Sequence, residues 1–81
     1  MQHLDEVRYI LINVLDLGSR RLDVNSALLG SLPELDSMAV LGLITALEEH
    51  FGFEVADDEI HSRHFATLGT LTTFVGDKLS I

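Results

Sequence analysis

Apolar residues recur at helical spacing in three stretches of the chain, separated by segments that hold no period. In the first, Leu4, Val7, Leu11, Val14 and Leu15 fall on one face with Ile10 beside them, which predicts a helix from about His3 to Asp16. Asp5 and Glu6 in its first turn suit the positive end of the helix dipole, and Gly18 is placed to supply a left-handed cap. Residues 19–35 carry no sustained pattern, and Asn25-Ser26, Gly30 and Pro33 interrupt them. A connection this long is unusual in a small domain and often functional; Leu22, Leu28, Leu29 and Leu32 are expected to pin it onto the helices. Asp36 then reads as the N-cap of a second helix, Ser37 to Phe51, with Val40, Leu41, Ile44, Leu47 and Phe51 as an apolar stripe that Leu43 widens. Gly52 is its stop, and Phe53-Glu54-Val55 a short extended link. Asp57, Asp58 and Glu59 open an expected brief third helix reaching about Ser62. Thr67 caps a last helix, Leu68 to Leu79, with Leu68, Leu71, Val75 and Leu79 inward. Gly69 and Gly76 should weaken it by roughly a kcal/mol each relative to Ala. No period-2 run of strand length occurs. The expected class is all-α, a small four-helix bundle with a long loop between helices 1 and 2 and a short third helix.

Length and composition narrow the function. Eighty-one residues leave room for one domain, 1–81. No 18-residue apolar run is present, so no membrane insertion is expected. The N-terminus lacks the basic start and cleavage site of a signal peptide. Without cysteine there is no disulfide scaffold, thiolate zinc site or cysteine nucleophile, which fits a cytoplasmic protein. Five Lys and Arg against 13 Asp and Glu give a net charge of −8. Such a chain repels phosphate backbones, so no nucleic acid is expected; its charged partners should present basic surfaces. A monomer is expected.

Chemistry concentrates in Leu35-Asp36-Ser37-Met38, which puts a serine hydroxyl at a helix N-terminus just after the long loop. Free N–H groups and the helix dipole favour a phosphate there; equally, Ser and Asp are common helix-start residues with no further role. The other constellations are weaker. Asp23, Asn25 and Glu34 sit at positions 1, 3 and 12 of an EF-hand-like loop, but Ala27 and Leu28 stand where an oxygen ligand and the glycine belong, so no metal site is expected. His61 and His64 have a zinc-compatible spacing without further ligands, and read as surface histidines. Ser37 with His50 or His64 lacks the Gly-x-Ser-x-Gly elbow of a hydrolase.

Taken over its whole length, the chain resembles an acyl carrier protein of the stand-alone, type II kind. Asp36-Ser37-Met38 is similar to the family's Asp-Ser-Leu attachment motif, with Met for Leu. Ala46-Leu47-Glu48-Glu49-His50-Phe51-Gly52-Phe53-Glu54-Val55 resembles the end of its second helix and the following turn. Asp57-Asp58-Glu59-Ile60 resembles its third-helix start, and Phe65-Ala66-Thr67-Leu68-Gly69-Thr70-Leu71 the entry to its fourth. The resemblance implies a carrier that is not an enzyme. A phosphopantetheinyl transferase would move 4′-phosphopantetheine from coenzyme A onto Ser37, and the arm's thiol would hold an acyl group as a thioester. Acyl-loading ligases and acyl-transferring or condensing enzymes of a lipid or specialised pathway are then the other partners. Asp36 would cap the helix or help hold the transferase's magnesium, and Met38 would pack near the base of the arm. Two departures stand out. Where the family usually carries acids two and five residues after the modified serine, this chain has Ala39 and Gly42, with Glu48 and Glu49 retained further on. The partner face of Ala39, Val40, Gly42, Glu48 and Glu49 should therefore recognise other enzymes than a fatty-acid-synthesis carrier does. Leu32-Pro33-Glu34-Leu35-Asp36-Ser37-Met38 further resembles specialised carriers of exopolysaccharide and exosortase-type gene clusters. Two alternatives remain at this point: an aminoacyl or peptidyl carrier, and a small acidic helical adaptor without prosthetic group.

Overall fold

The computed structural model describes residues 2–80. Three α-helices, α1 (Leu4–Leu15), α2 (Ser37–Phe51) and α3 (Leu68–Leu79), pack around one apolar core, with a single 3-10 turn at Ser62–Phe65. No strand occurs among the described residues. Val14 lies against Gly42, and Glu6 meets His50, so α1 and α2 run antiparallel. Val7 and Leu11 of α1, Leu43 and Leu47 of α2, and Leu68, Leu71 and Val75 of α3 are all but sealed from solvent.

The interhelical loop is anchored as its leucines predict, by Leu22, Leu28 and Leu32, joined by Leu17 and Leu35. Backbone hydrogen bonds add to this. The first N–H groups of a helix have no partner within it. In α3 the Leu68 N–H donates to the Ser26 carbonyl at 3.1 Å and the Gly69 N–H to the Val24 carbonyl at 2.8 Å. Thr67 Oγ1 accepts from the Thr70 N–H at 3.1 Å. On the neighbouring stretch, the N–H groups of Leu28 and Leu29 donate to the carbonyls of Ala66 and Phe65. The loop thus closes the start of α3, and its path is set by donors that would otherwise be buried unpaired. Arg20 clasps Glu34 with two hydrogen bonds of 3.0 and 2.5 Å, joining the two ends of the loop.

Several expectations are corrected. The left-handed cap of α1 is Asp16 at φ 54°, two residues before Gly18, which takes φ 64° in the next turn. Residues 57–59 form a turn, and the third helical piece comes later, as the 3-10 turn. The Glu59 carboxylate explains the shift: it accepts from the Ala56 N–H and binds Lys78 Nζ at 2.6 Å, closing a turn on itself. Val14, Leu29, Leu41 and Leu79 were expected to be inward but are exposed, while Thr72 and Phe74 are buried. Thr72 tolerates burial because its hydroxyl donates to the Leu68 carbonyl at 2.8 Å.

Candidate functional site

Asp36 ends the loop in extended backbone, and its Oδ1 accepts from the Ala39 N–H at 2.8 Å. The Val40 N–H donates to the Asp36 carbonyl at 2.9 Å, the first bond of α2. Two N–H groups of that first turn, those of Ser37 and Met38, have no partner among the described residues. Ser37 is the first residue of α2 and is exposed, and its hydroxyl enters no hydrogen bond among the described residues. Pro33 and Glu34 precede this start, and Leu35 sinks into the core just before it, so the loop delivers Ser37 to the surface from a buried anchor.

Beside Ser37 lies a concavity of about 440 Å³, walled by Leu29, Leu35, Val40, Ile60 and Phe65 and rimmed by Asp36, His61 and Ser62. Leu29, Ile60, Ser62 and Phe65 were not singled out from sequence as site residues, and His61 was weighed only as a zinc ligand. They come from three segments without helical periodicity, and only the fold brings them to Ser37. Met38 follows Ser37 in the chain but does not line this concavity; it stands on the outer face of α2, 76% exposed, with Leu41 at 63%. Gly42, Thr45 and Glu49 continue that face. Ala39 and Val40 are half-buried against the core. Glu48 is half-buried too, and its Oε2 accepts from the Val55 N–H at 2.7 Å, so it fastens the link after α2.

The weaker constellations are built into the fold. Asp23 Oδ1 accepts from the Asn25 N–H at 3.0 Å and from Ser26 Oγ at 3.3 Å, an Asx-type turn, and Glu34 is held by Arg20. Arg20 keeps the Glu34 carboxyl below its usual range. No group of three or more metal-ligating side chains occurs among the described residues. His64 Nδ1 accepts from the His61 N–H at 3.0 Å, and its ring packs on Phe74 with centroids 4.6 Å apart. Burial there pushes the His64 pKa down. His50 lies 13 residues beyond Ser37 on one helix, about 20 Å away at 1.5 Å per residue, so the two cannot form a hydrolytic pair. Instead, His50 and His3 both engage the Glu6 carboxylate, at 3.0 and 3.4 Å, and hold its pKa low.

Comparison with known proteins converges on this geometry. The family described as "Phosphopantetheine attachment site" matches residues 5–75. Acyl carrier proteins of Chlamydia trachomatis serovars D and A are 27% identical over 74 residues, covering 91% of this chain and 92% of theirs. The solution NMR structure of a holo acyl carrier protein from Nitrosomonas europaea superposes with a TM-score of 0.92 at 59% identity, covering all of both chains. That of a holo acyl carrier protein from Geobacter metallireducens gives 0.79 at 28% identity, over 99% of this chain and 88% of that one. No helix among the described residues is long and apolar enough to cross a membrane. With the match spanning nearly the whole chain, it belongs to the phosphopantetheine-attachment family as an acyl carrier protein, a carrier on a covalent phosphopantetheine arm and not an enzyme.

Proposed function

We propose that Ser37 is the attachment residue and that this chain, as one carrier domain over residues 1–81, presents acyl thioesters to the enzymes of a specialised pathway. The observation that supports it is the exposed, unbonded Ser37 hydroxyl at the first position of α2, beside two unpaired N–H groups and an apolar concavity. These residues fit the group: a phosphodiester at Ser37 meets the positive end of the helix dipole, and the apolar wall gives the arm and its cargo a surface to lie against. In the attachment step a phosphopantetheinyl transferase takes the hydroxyl proton, and Ser37 Oγ forms the new bond to phosphorus. The diphosphate of coenzyme A breaks and adenosine 3′,5′-bisphosphate leaves. When bound, the arm supplies a thiol for the thioester, and the chain has no cysteine to compete with it. Asp36 holds the turn that exposes Ser37 through its Oδ1, and its carboxylate would be the group on this chain to help hold the transferase's magnesium.

The pathway reading rests on the outer face of α2. Met38, Leu41 and Gly42 make its first half neutral and apolar, so beyond the capping Asp36 a partner's basic patch would meet no acid there. Acyl-loading and condensing enzymes that meet this carrier therefore use apolar contact at the arm's base. An exopolysaccharide or exosortase-type cluster is the setting we favour, in the cytoplasm, with the protein a monomer. The structure carries no feature that favours aminoacyl over acyl cargo, and the family rules out an adaptor without a prosthetic group. The deciding experiment is intact mass after incubation with coenzyme A, magnesium and a broad-specificity transferase, followed by peptide mapping. One phosphopantetheine should be added, on Ser37, and none to Ser37→Ala. Addition to that variant would overturn the assignment.

A further inference from the structure

The arm-facing concavity has an imidazole on its rim. Asp36 and Ser37 from the start of α2 line it together with His61 and Ser62, where the chain enters the 3-10 turn, and the other lining residues are apolar. The His61 backbone is committed, its N–H to His64 Nδ1 and its carbonyl to the His64 N–H at 3.0 Å. These bonds hold the residue in extended backbone at φ −133°. Its ring is exposed and lies beside that of His64, with centroids 5.8 Å apart. The other three histidines are all occupied: His3 and His50 on Glu6, and His64 against Phe74.

Resting on the assignment of Ser37, we propose that His61 is the polar contact for the arm in this carrier, its imidazolium pairing with the negatively charged phosphodiester across the concavity. A charge pair over a low-dielectric wall is less screened than one in open water, and the phosphodiester is anionic throughout the pH range in which an imidazole titrates. The charged and titratable groups facing His61 are few. Asp36 comes from the start of α2 and is occupied by the Ala39 N–H. Arg63 and His64 belong to the 3-10 turn, with the rings of His61 and His64 centred 5.8 Å apart. Glu59, two residues upstream, is turned to Lys78. His61 is thus the imidazole that lines the concavity beside Ser37 with its ring exposed. Pairing would bias the arm toward the apolar wall of Ile60, Val40 and Phe65, and so toward shielding a thioester held on it.

The test is phosphorus NMR of the holo protein between pH 5 and 8, after mass and peptide mapping have located the arm. The diester does not titrate in that range, so any pH step in its resonance reports a neighbouring group. The expected result is one step in the wild type, its loss in His61→Gln and its survival in His50→Gln. A second readout needs no variant: attaching the arm should move the His61 ring proton resonance more than that of His50. A wild type without a step, a step that survives in His61→Gln, or equal movement of the two rings overturns the proposal while Ser37 stands. An arm mapped to another residue overturns both.

Discussion

At the scale of single residues, Asp36 joins folding to function. Its carboxylate accepts from the Ala39 N–H and so defines where α2 starts, and Ser37 is exposed because α2 starts there. Asp36→Ala should cost about 0.5–2 kcal/mol, the range for losing a helix cap. Asn caps a helix as well as Asp does, so Asp36→Asn should keep the unfolding free energy within about 0.5 kcal/mol of wild type. If the carboxylate also serves the transferase, the same variant is modified more slowly; equal loading rates would leave Asp36 a cap alone. His64 supports a second residue-scale prediction, this one about pH. Its Nδ1 accepts from the His61 N–H, which only the neutral ring can do, and burial holds its pKa below the ordinary histidine value. A base with a depressed folded pKa contributes its full stability above its unfolded value, near 6.5. It loses that contribution as pH falls below this value, because the unfolded chain takes the proton more readily. Urea midpoints at pH 7.5 and 5.5 should therefore differ in wild type by a component that His64→Gln lacks. Parallel pH curves for the two proteins would remove His64 from the account.

At the scale of elements, the two glycines of α3 have opposite meanings. A Cβ on Gly69 would lie 2.8 Å from both the carbonyl oxygen and Cγ2 of Val24, while one on Gly76 would meet nothing within 4 Å. The loop lies so close to α3 at Gly69 because the Gly69 N–H donates to that same carbonyl. Gly69→Ala should thus destabilise by about 1–3 kcal/mol, an overpacking cost against backbone that cannot swing away, although alanine is the better helix former. Gly76→Ala should stabilise by about 0.5–1 kcal/mol. Denaturant melts of the two variants check both signs. From sequence alone the glycines look alike, each a weak point in a helix, and the loop that distinguishes them has no period to read. The same contrast holds through the fold. α2 and α3 were legible in position and extent because Asp36 and Thr67 cap them and the apolar spacing runs toward their ends. The third helix was misplaced because acidic residues at 57–59 signal a helix start, whereas Glu59 spends its carboxylate on Ala56 and Lys78. The motif drew attention to Ser37 at the helix start, but nothing in the sequence marked the wall beside it. Leu29, Ile60 and Phe65 come from segments where burial is decided by tertiary neighbours rather than by local pattern.

At the scale of the whole molecule, charge is unevenly spread, and that bears on partner choice. Residues 48–59 hold six of the 13 acids, Glu48, Glu49, Glu54, Asp57, Asp58 and Glu59, and no Lys or Arg. The opposite end of α2, where Ser37 lies, offers Met38, Leu41 and Gly42 to solvent. Two of those acids are also committed within the fold, Glu48 to the Val55 N–H and Glu59 to Lys78. With the arm on Ser37 as proposed, an enzyme's basic patch meets Asp36 at the helix start and then a neutral stretch through Met38, Leu41 and Gly42, so complementary charge adds less to encounter rate and orientation there. Gly42 is the position to change. It is exposed, and a Cβ there would find only Val14 Cγ1 at 4.0 Å, an ordinary contact. Gly42→Glu should therefore fold at least as well as wild type, with about 0.5–1 kcal/mol gained from helix propensity. Ala39 packs against the core, so Ala39→Asp carries the larger risk to the fold and belongs in a separate variant. With the same acyl group loaded on each, Gly42→Glu should be turned over faster than wild type by a fatty-acid elongation enzyme at low salt. That advantage should shrink as ionic strength rises and the Debye length falls from about 10 Å at 0.1 M to about 3 Å at 1 M. A wild type turned over as fast as an ordinary acidic carrier would show that the neutral face does not select the partner, and the specialised pathway would lose its structural support.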